Sequence, residues 1–150
     1  MHKLRVLAGL LLIAGLCAAP LQARQGQDWS FDGVDRIDID GVSGDIIVRA
    51  GDDNAVRVML DEDVTPQGNF RGEVDMSGGT VRIRERWEGR NSRGHVTWTL
   101  AVPADADLRV SADTASGDLE ASQVNARFDF STASGDVRLS DMTLAADSSF

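Results

Sequence analysis

The sequence predicts an all-β fold, specifically a single-stranded β-solenoid with coils of about 18–20 residues. Three observations carry that expectation. First, residues 110–126 (VSADTASGDLEASQVNA) align with residues 128–144 (FDFSTASGDVRLSDMTL) at an offset of eighteen, without a gap. Second, apolar or small residues alternate with polar ones on both sides of a shared corner: Val110, Ala112 and Thr114 before it and Leu119 and Ala121 after it, then Phe128, Phe130 and Thr132 before it and Val137 and Leu139 after it. A period of two marks strands with one buried face. Third, the corner recurs far upstream, where Ile37, Ile39, Ser43, Gly44, Asp45, Ile46 and Val48 keep the relative places of Val110, Ala112, Ser116, Gly117, Asp118, Leu119 and Ala121. Equivalent residues of successive coils are expected to stack about 4.8 Å apart, and the winding is expected to be right-handed, as crossovers between parallel strands usually are.

The chain divides into residues 1–23 as a signal peptide, 24–33 as a leader and N-terminal cap, and 34–150 as the solenoid. Lys3 and Arg5 precede an uncharged apolar run from Val6 to Ala19, and Leu21-Gln22-Ala23 is a plausible cleavage site. The run is shorter than the roughly 20 residues of a membrane span. No stable span is expected after cleavage. Leu16 before Cys17 does not suit a lipobox, so Cys17 is read as part of the removed segment. Residues 24–30 read as a flexible leader, with Trp29 and Phe31 starting a cap over the first coil.

Each later element has its own signal. Ile37 to Val48 is the first Ser-Gly-Asp unit, and Gly51-Asp52-Asp53-Asn54 is a turn. Val56, Val58 and Leu60 alternate as a strand. Pro66, Gly68, Gly72 and Gly78-Gly79 indicate loops around a short strand at Val74–Met76. Val81, Ile83 and Trp87 form one face of the next strand. Val96, Trp98, Leu100 and Val102 alternate until Pro103, which lacks the N–H to continue a ladder. In the repeats, Ser116-Gly117-Asp118 and Ser134-Gly135-Asp136 are sharp bends, with glycine supplying positive φ and the flanking Ser and Asp bonding the bend's backbone. Ser122-Gln123 and Ser140-Asp141 form a second corner, and Val124–Ala126 and Met142–Leu144 a third short strand of each coil. The register runs on to Phe150 without a visible cap. The chain therefore reads as possessing an open C-terminal coil, either truncated or available for self-association.

The strand ending in Val102-Pro103, the following Ala-Asp-Ala-Asp-Leu-Arg-Val, the repeated Ser-Gly-Asp-aliphatic corners and the upstream Val42-Ser43-Gly44-Asp45-Ile46-Ile47-Val48 resemble a bacterial family of exported β-strand-repeat adhesin candidates, a domain of unknown function. The resemblance spans Val34 to the C-terminus and implies export, a β-solenoid and an envelope or surface role. It carries no catalytic motif.

Composition narrows the chemistry. Beyond residue 23 there are 127 residues, no cysteine, and 13 arginines against 24 acids, a net −11. That balance argues against nucleic acid as a partner. His95 is the only remaining histidine and starts a strand beside Gly94, which fits a solvated residue; no metal site, cofactor or catalytic group is expected. Asp118 and Asp136, stacked on adjacent coils, have the closeness of a glycosidase pair. However, the same aspartate recurs at Asp45, as a turn-capping residue should and a catalytic one need not. A bridging Ca²⁺ is the lesser alternative. Arg82, Arg84 and Arg86 alternate along one strand, with Trp87 following. They are either a solvated face balanced by Glu85 and Glu88 or a site for an anionic polymer, with guanidinium groups gripping anions and Trp87 stacking on a sugar.

The expected function is non-enzymatic: an exported module of the periplasm or cell surface, adhesin-like or scaffolding, with an envelope glycan or protein as partner. The rivals are a polysaccharide-active enzyme using the stacked aspartates and a periplasmic partner in envelope-stress sensing.

Overall fold

Alternation in the sequence becomes eleven strands, with no helix among the described residues, which are 25–142 of the computed structural model. The expected signal peptide and the C-terminal residues 143–150, with the open coil assigned to them, lie outside those residues. The strands are β1 (Gln25–Phe31), β2 (Arg36–Asp40), β3 (Asp45–Gly51), β4 (Val56–Thr65), β5 (Phe70–Ser77), β6 (Thr80–Trp87), β7 (Arg93–Pro103), β8 (Leu108–Thr114), β9 (Leu119–Ser122), β10 (Ala126–Thr132) and β11 (Val137–Ser140). They form two mixed sheets, one ordered β1-β4-β7-β3-β9-β11 and the other β10-β8-β2-β6-β5. No helix among the described residues is long and apolar enough to cross a membrane.

The predicted registers hold. Phe128 pairs with Val110 and Phe130 with Ala112 across β10 and β8, and Val137 pairs with Leu119 across β11 and β9. The upstream copy joins them: Ile37 pairs with Val110, and Ile46 with Leu119. All these ladders are parallel, as repeats of one unit must be. Each unit contributes one strand to each sheet, and its inward residues fill the space between them. Ile37, Ile46, Val48, Leu119, Phe128 and Phe130 are almost wholly buried there, with Trp98 of β7 at 0% exposure. At about 25 cal/mol per Å² of apolar surface removed from water, this core is the main stabilising contribution.

The path of the chain differs from one continuous winding over residues 34–150. The β6–β7 pair stacks on one side of β2–β3 through parallel ladders, while β8–β9 stacks on the other side. Stacking order therefore departs from chain order. Three antiparallel pairings, β1 with β4, β4 with β7, and β5 with β6, extend the two sheets beyond the parallel block. β4 runs on to Thr65 and β5 is an eight-residue strand, where loops around a short strand were expected. The reason is pairing: the polar residues Asp61, Glu62 and Asp63 are held in register against Thr97, Val96 and His95. Residues 25–31, read as the end of a leader, are the outer strand β1, and Trp29 stacks over Trp98 with ring centroids 6.2 Å apart.

The repeat from Leu108 to Val124 has two strands rather than three, and the third strand expected at Met142–Leu144 runs out of the described residues. Val124 is buried but lies in the connection, and Ala126 already begins β10. The second corner takes the unusual backbone: Gln123 has φ 58° and Asp141, one repeat later, φ 51°. Gln123 is thus exposed yet conformationally constrained, because a non-glycine residue in the left-handed region is under steric cost.

Candidate functional site

The three Ser-Gly-Asp corners lie one above another, and their backbone groups touch. Ile46 N–H donates to the Asp118 carbonyl at 2.9 Å, and Leu119 N–H donates to the Asp136 carbonyl at 2.9 Å. The side chains continue the ladder. Asp118 N–H donates to the Asp45 carboxylate at 3.0 Å, and Asp136 N–H donates to the Asp118 carboxylate at 2.9 Å. Asp45 and Asp118 therefore each cap the next repeat rather than their own bend. Ser116 and Ser134 sit exposed on the outside of the bends, while Ser43 is half-buried and uses its backbone N–H.

The glycines serve a different purpose from the expected one. None of Gly44, Gly117 or Gly135 has positive φ. A Cβ on Gly117 would lie 2.0 Å from the Gly44 carbonyl oxygen, and one on Gly135 would lie 2.2 Å from the Gly117 carbonyl oxygen. The corners stack so closely that only hydrogen fits between them, which is the close-approach use of glycine.

At the β6–β7 end of the column stands Glu85, 9% exposed. Its Oε2 accepts from Val42 N–H at 2.8 Å, Ser43 N–H at 3.1 Å and the Trp87 indole N–H at 3.1 Å; its Oε1 accepts from the Trp98 indole N–H at 2.9 Å. A Cβ on Gly44 would lie 2.2 Å from the same Oε1. Glu85 thus satisfies the orphan donors of the first corner from a strand pair that has no Ser-Gly-Asp of its own. Sequence reading placed it on the polar side as a counter-charge. The signal that could have found it is the alternation Val81, Ile83, Glu85, Trp87, which puts a carboxylate on the inward face.

On the solvent side Arg138 bridges the lower two corners, donating to Asp118 at 3.1 Å and to Asp136 at 2.6 Å. His95 Nε2 is 3.3 Å from Asp45 and 3.1 Å from the Thr97 hydroxyl. Among the described residues no group of acidic, histidine or cysteine side chains is arranged to hold a metal ion. The Asp118 carboxyl is held below its ordinary value of 3.8, first by the Asp136 N–H and then by the Arg138 guanidinium. A depressed carboxyl contributes stability above its unfolded value and loses it as pH falls through the folded one. Asp118→Asn is therefore expected to be less stable than the parent at pH 7, and the gap should close as pH falls below 3.8. Urea midpoints measured from pH 7 downward check this, and a gap independent of pH would contradict it.

The arginine strand is only partly as expected. Arg82, Arg84 and Arg86 do share the outer face of β6, but acids oppose them. Asp38 and Asp75 flank Arg82, and Asp40 and Glu73 flank Arg84. Arg86 donates to Glu73 at 2.9 Å, and Arg82 is 4.0 Å from Asp75. Trp87 lies on the opposite face of the strand. Its indole N–H is committed to Glu85, and its ring packs edge-on against Phe70 at 5.0 Å. The expected pairing of these arginines with a sugar-stacking Trp87 is therefore corrected: alternation sends them to opposite sides of one sheet.

That sheet's outer face carries a shallow depression of about 300 Å³, lined by Arg36, Asp38, Asp40, Arg84, Ser111 and Asp113 among others. It is made of residues from β2, β6 and β8 that only strand pairing brings together.

Comparison with known proteins places this architecture. The family model Toastrack DUF4097 matches residues 34–148. A candidate cell adhesion protein from Clostridium sporogenes aligns over 83% of this chain and 63% of its own, with 6% identity and a TM-score of 0.51. A candidate adhesin from Parabacteroides distasonis aligns over 79% of this chain and 57% of its own, at 13% identity and a TM-score of 0.35. A candidate lipid binding protein from the same species covers 79% and 59%, at 16% identity and a TM-score of 0.38. The chain spans less than two thirds of the length of each of these structures. The first likeness is one of fold. No curated protein matches the sequence.

Proposed function

The chain belongs to the Toastrack DUF4097 family, and from that premise we propose that it is a non-enzymatic, exported module of the envelope or cell surface, in which a short β-solenoid presents a polar sheet face to an envelope glycan or protein. The parallel block of β6–β7, β2–β3, β8–β9 and β10–β11 is the solenoid, and the antiparallel strands close one end of it. The observation that carries the reading is the corner column. The carboxylates of this column are already engaged: Asp45 by Asp118 N–H, Asp118 by Asp136 N–H and Arg138, Asp136 by Arg138, and Glu85 by four donors. A general acid or base needs a free oxygen within reach of substrate, and the Asp45 and Asp118 oxygens are occupied in holding neighbouring repeats together. The large polar sheet faces are what remains for recognition.

Cell fractionation, N-terminal sequencing and capture from envelope extracts test this. The expected species starts at Arg24, is found in the periplasm or at the surface, and retains an envelope component. Retention in the cytosol with an intact Met1 would overturn the proposal. So would a polysaccharide turnover abolished by Asp118→Asn together with Asp136→Asn in a chain of unchanged stability.

A further inference from the structure

Resting on that reading, we propose that the outer face of the five-stranded sheet binds an acidic glycan through a row of three arginines, Arg36, Arg109 and Arg127. Sequence separation hides this row, but register creates it. Arg36 pairs with Arg109, and Arg109 with Arg127, on three adjacent parallel strands. Neighbouring strands lie about 4.8 Å apart, so three guanidinium-bearing side chains leave one face in line. Like charges directly opposite one another across strands are destabilising. The outer two arginines have their own counter-charges: Arg36 donates to Asp38 at 2.5 Å, and Arg127 is 3.1 Å from Asp107. Arg109, exposed between them, has no carboxylate at ion-pair distance among the described residues. An external anion seated over Arg109 would relieve the repulsion along the row, and guanidinium groups suit carboxylate and sulfate through paired N–H donors.

The next row on the same face decides the class of anion. Ser111 stands opposite Asp38 on one side and Asp129 on the other, and beyond them Asp40 pairs with Asp113. Carboxylates and a hydroxyl beside an arginine row accept hydrogen bonds from hydroxyl groups, and they repel a ligand that is densely charged. A net charge of −11 beyond residue 23 acts in the same direction. The favoured ligand therefore carries many hydroxyls beside its anionic groups: a polysaccharide of uronic or sulfated sugars.

Titration calorimetry of the chain from Arg24 onward with polygalacturonate, chondroitin sulfate, neutral dextran, polyphosphate and single-stranded DNA tests the proposal. Binding is expected to the two acidic glycans and to none of the others. Arg109→Gln should weaken it by about tenfold or more, the loss expected for a charge-assisted contact, and Arg36→Gln/Arg109→Gln/Arg127→Gln should remove it. Arg49→Gln, on the other sheet, should have no effect. Thermal midpoints at or above that of the parent show that the variants are folded. Absence of binding to either acidic glycan overturns the proposal, as does equal binding to polyphosphate or DNA. Loss of binding only in Arg82→Gln/Arg84→Gln/Arg86→Gln overturns the row and moves the site to β6. Capture of an envelope component that survives Arg109→Gln overturns the row but leaves the module reading standing.

Discussion

Valine at position 117 is expected to lower the unfolding free energy by about 3 kcal/mol or more, at the upper end of overpacking costs. The Cβ alone would lie 2.0 Å from the Gly44 carbonyl oxygen, and that obstacle is backbone, which cannot rotate away. Relief requires the two corners to separate, which also lengthens the bonds from Asp118 N–H to Asp45 and from Ile46 N–H to the Asp118 carbonyl. Gly135→Val meets the Gly117 carbonyl in the same way. Gly78 provides the contrast: its φ is +56°, but a Cβ there would meet nothing within 4 Å. Gly78→Ala should cost only about 1–2 kcal/mol, the left-handed penalty. Asparagine separates the two causes, because it tolerates left-handed backbone but still carries a Cβ. Gly78→Asn should be mild and Gly117→Asn severe. Denaturant unfolding of the five variants measures this, and a mild Gly117→Asn would refute crowding as the reason for glycine at the corner.

The second large effect belongs to Glu85. Glu85→Ala removes one acceptor group from four donors, the Val42 and Ser43 N–H groups and the Trp87 and Trp98 indoles. Each buried unsatisfied donor costs about 1–3 kcal/mol, and partial access to water reduces the sum, so a loss of about 3–5 kcal/mol is expected. Glu85→Gln should be milder. Its oxygen can keep the three bonds made by Oε2, while its NH₂ group would face the Trp98 N–H, leaving one donor opposed by another. The order Glu85, then Gln, then Ala in chemical denaturation is the check, with quenching or shift of Trp98 fluorescence reporting the local change. An alanine variant as stable as the parent would mean that the four bonds contribute nothing net.

The corner column was legible in outline. The repeated Ser-Gly-Asp located Asp45, Asp118 and Asp136, and the offset of eighteen gave the pairing of Phe128 with Val110 and of Val137 with Leu119. The bonding inside the column was less legible. A glycine in a bend suggests positive φ because that is a local property, whereas the obstacle at Gly117 is a carbonyl 73 positions earlier in the chain. Glu85 was misplaced for a related reason: a charged residue on an inward position makes sense only once its donors are known, and they come from residues 42, 43, 87 and 98. For Arg82, Arg84 and Arg86 the sequence leaves a balanced solvated face and an anion site both open, because it does not show that Glu73, Asp75, Asp38 and Asp40 lie across from them.

Periodicity alone determined that this protein is all-β, which residues face inward along most strands, and which residues repeat. These follow from backbone geometry within a few residues, since side chains alternate along any extended segment. Which strands became neighbours was decided only by the tertiary structure. The β6–β7 pair could have stacked on either side of β2–β3, and the polar stretch from Asp61 to Ser77 could have remained loop. Burial of Trp98, Leu60 and Phe70 in one core, together with satisfaction of the backbone groups of β4 and β5, selected the antiparallel arrangement. Strand adjacency is a long-range choice among faces that look alike locally, so the arginine row and the Glu85 cap came into being only when the sheets closed on their core.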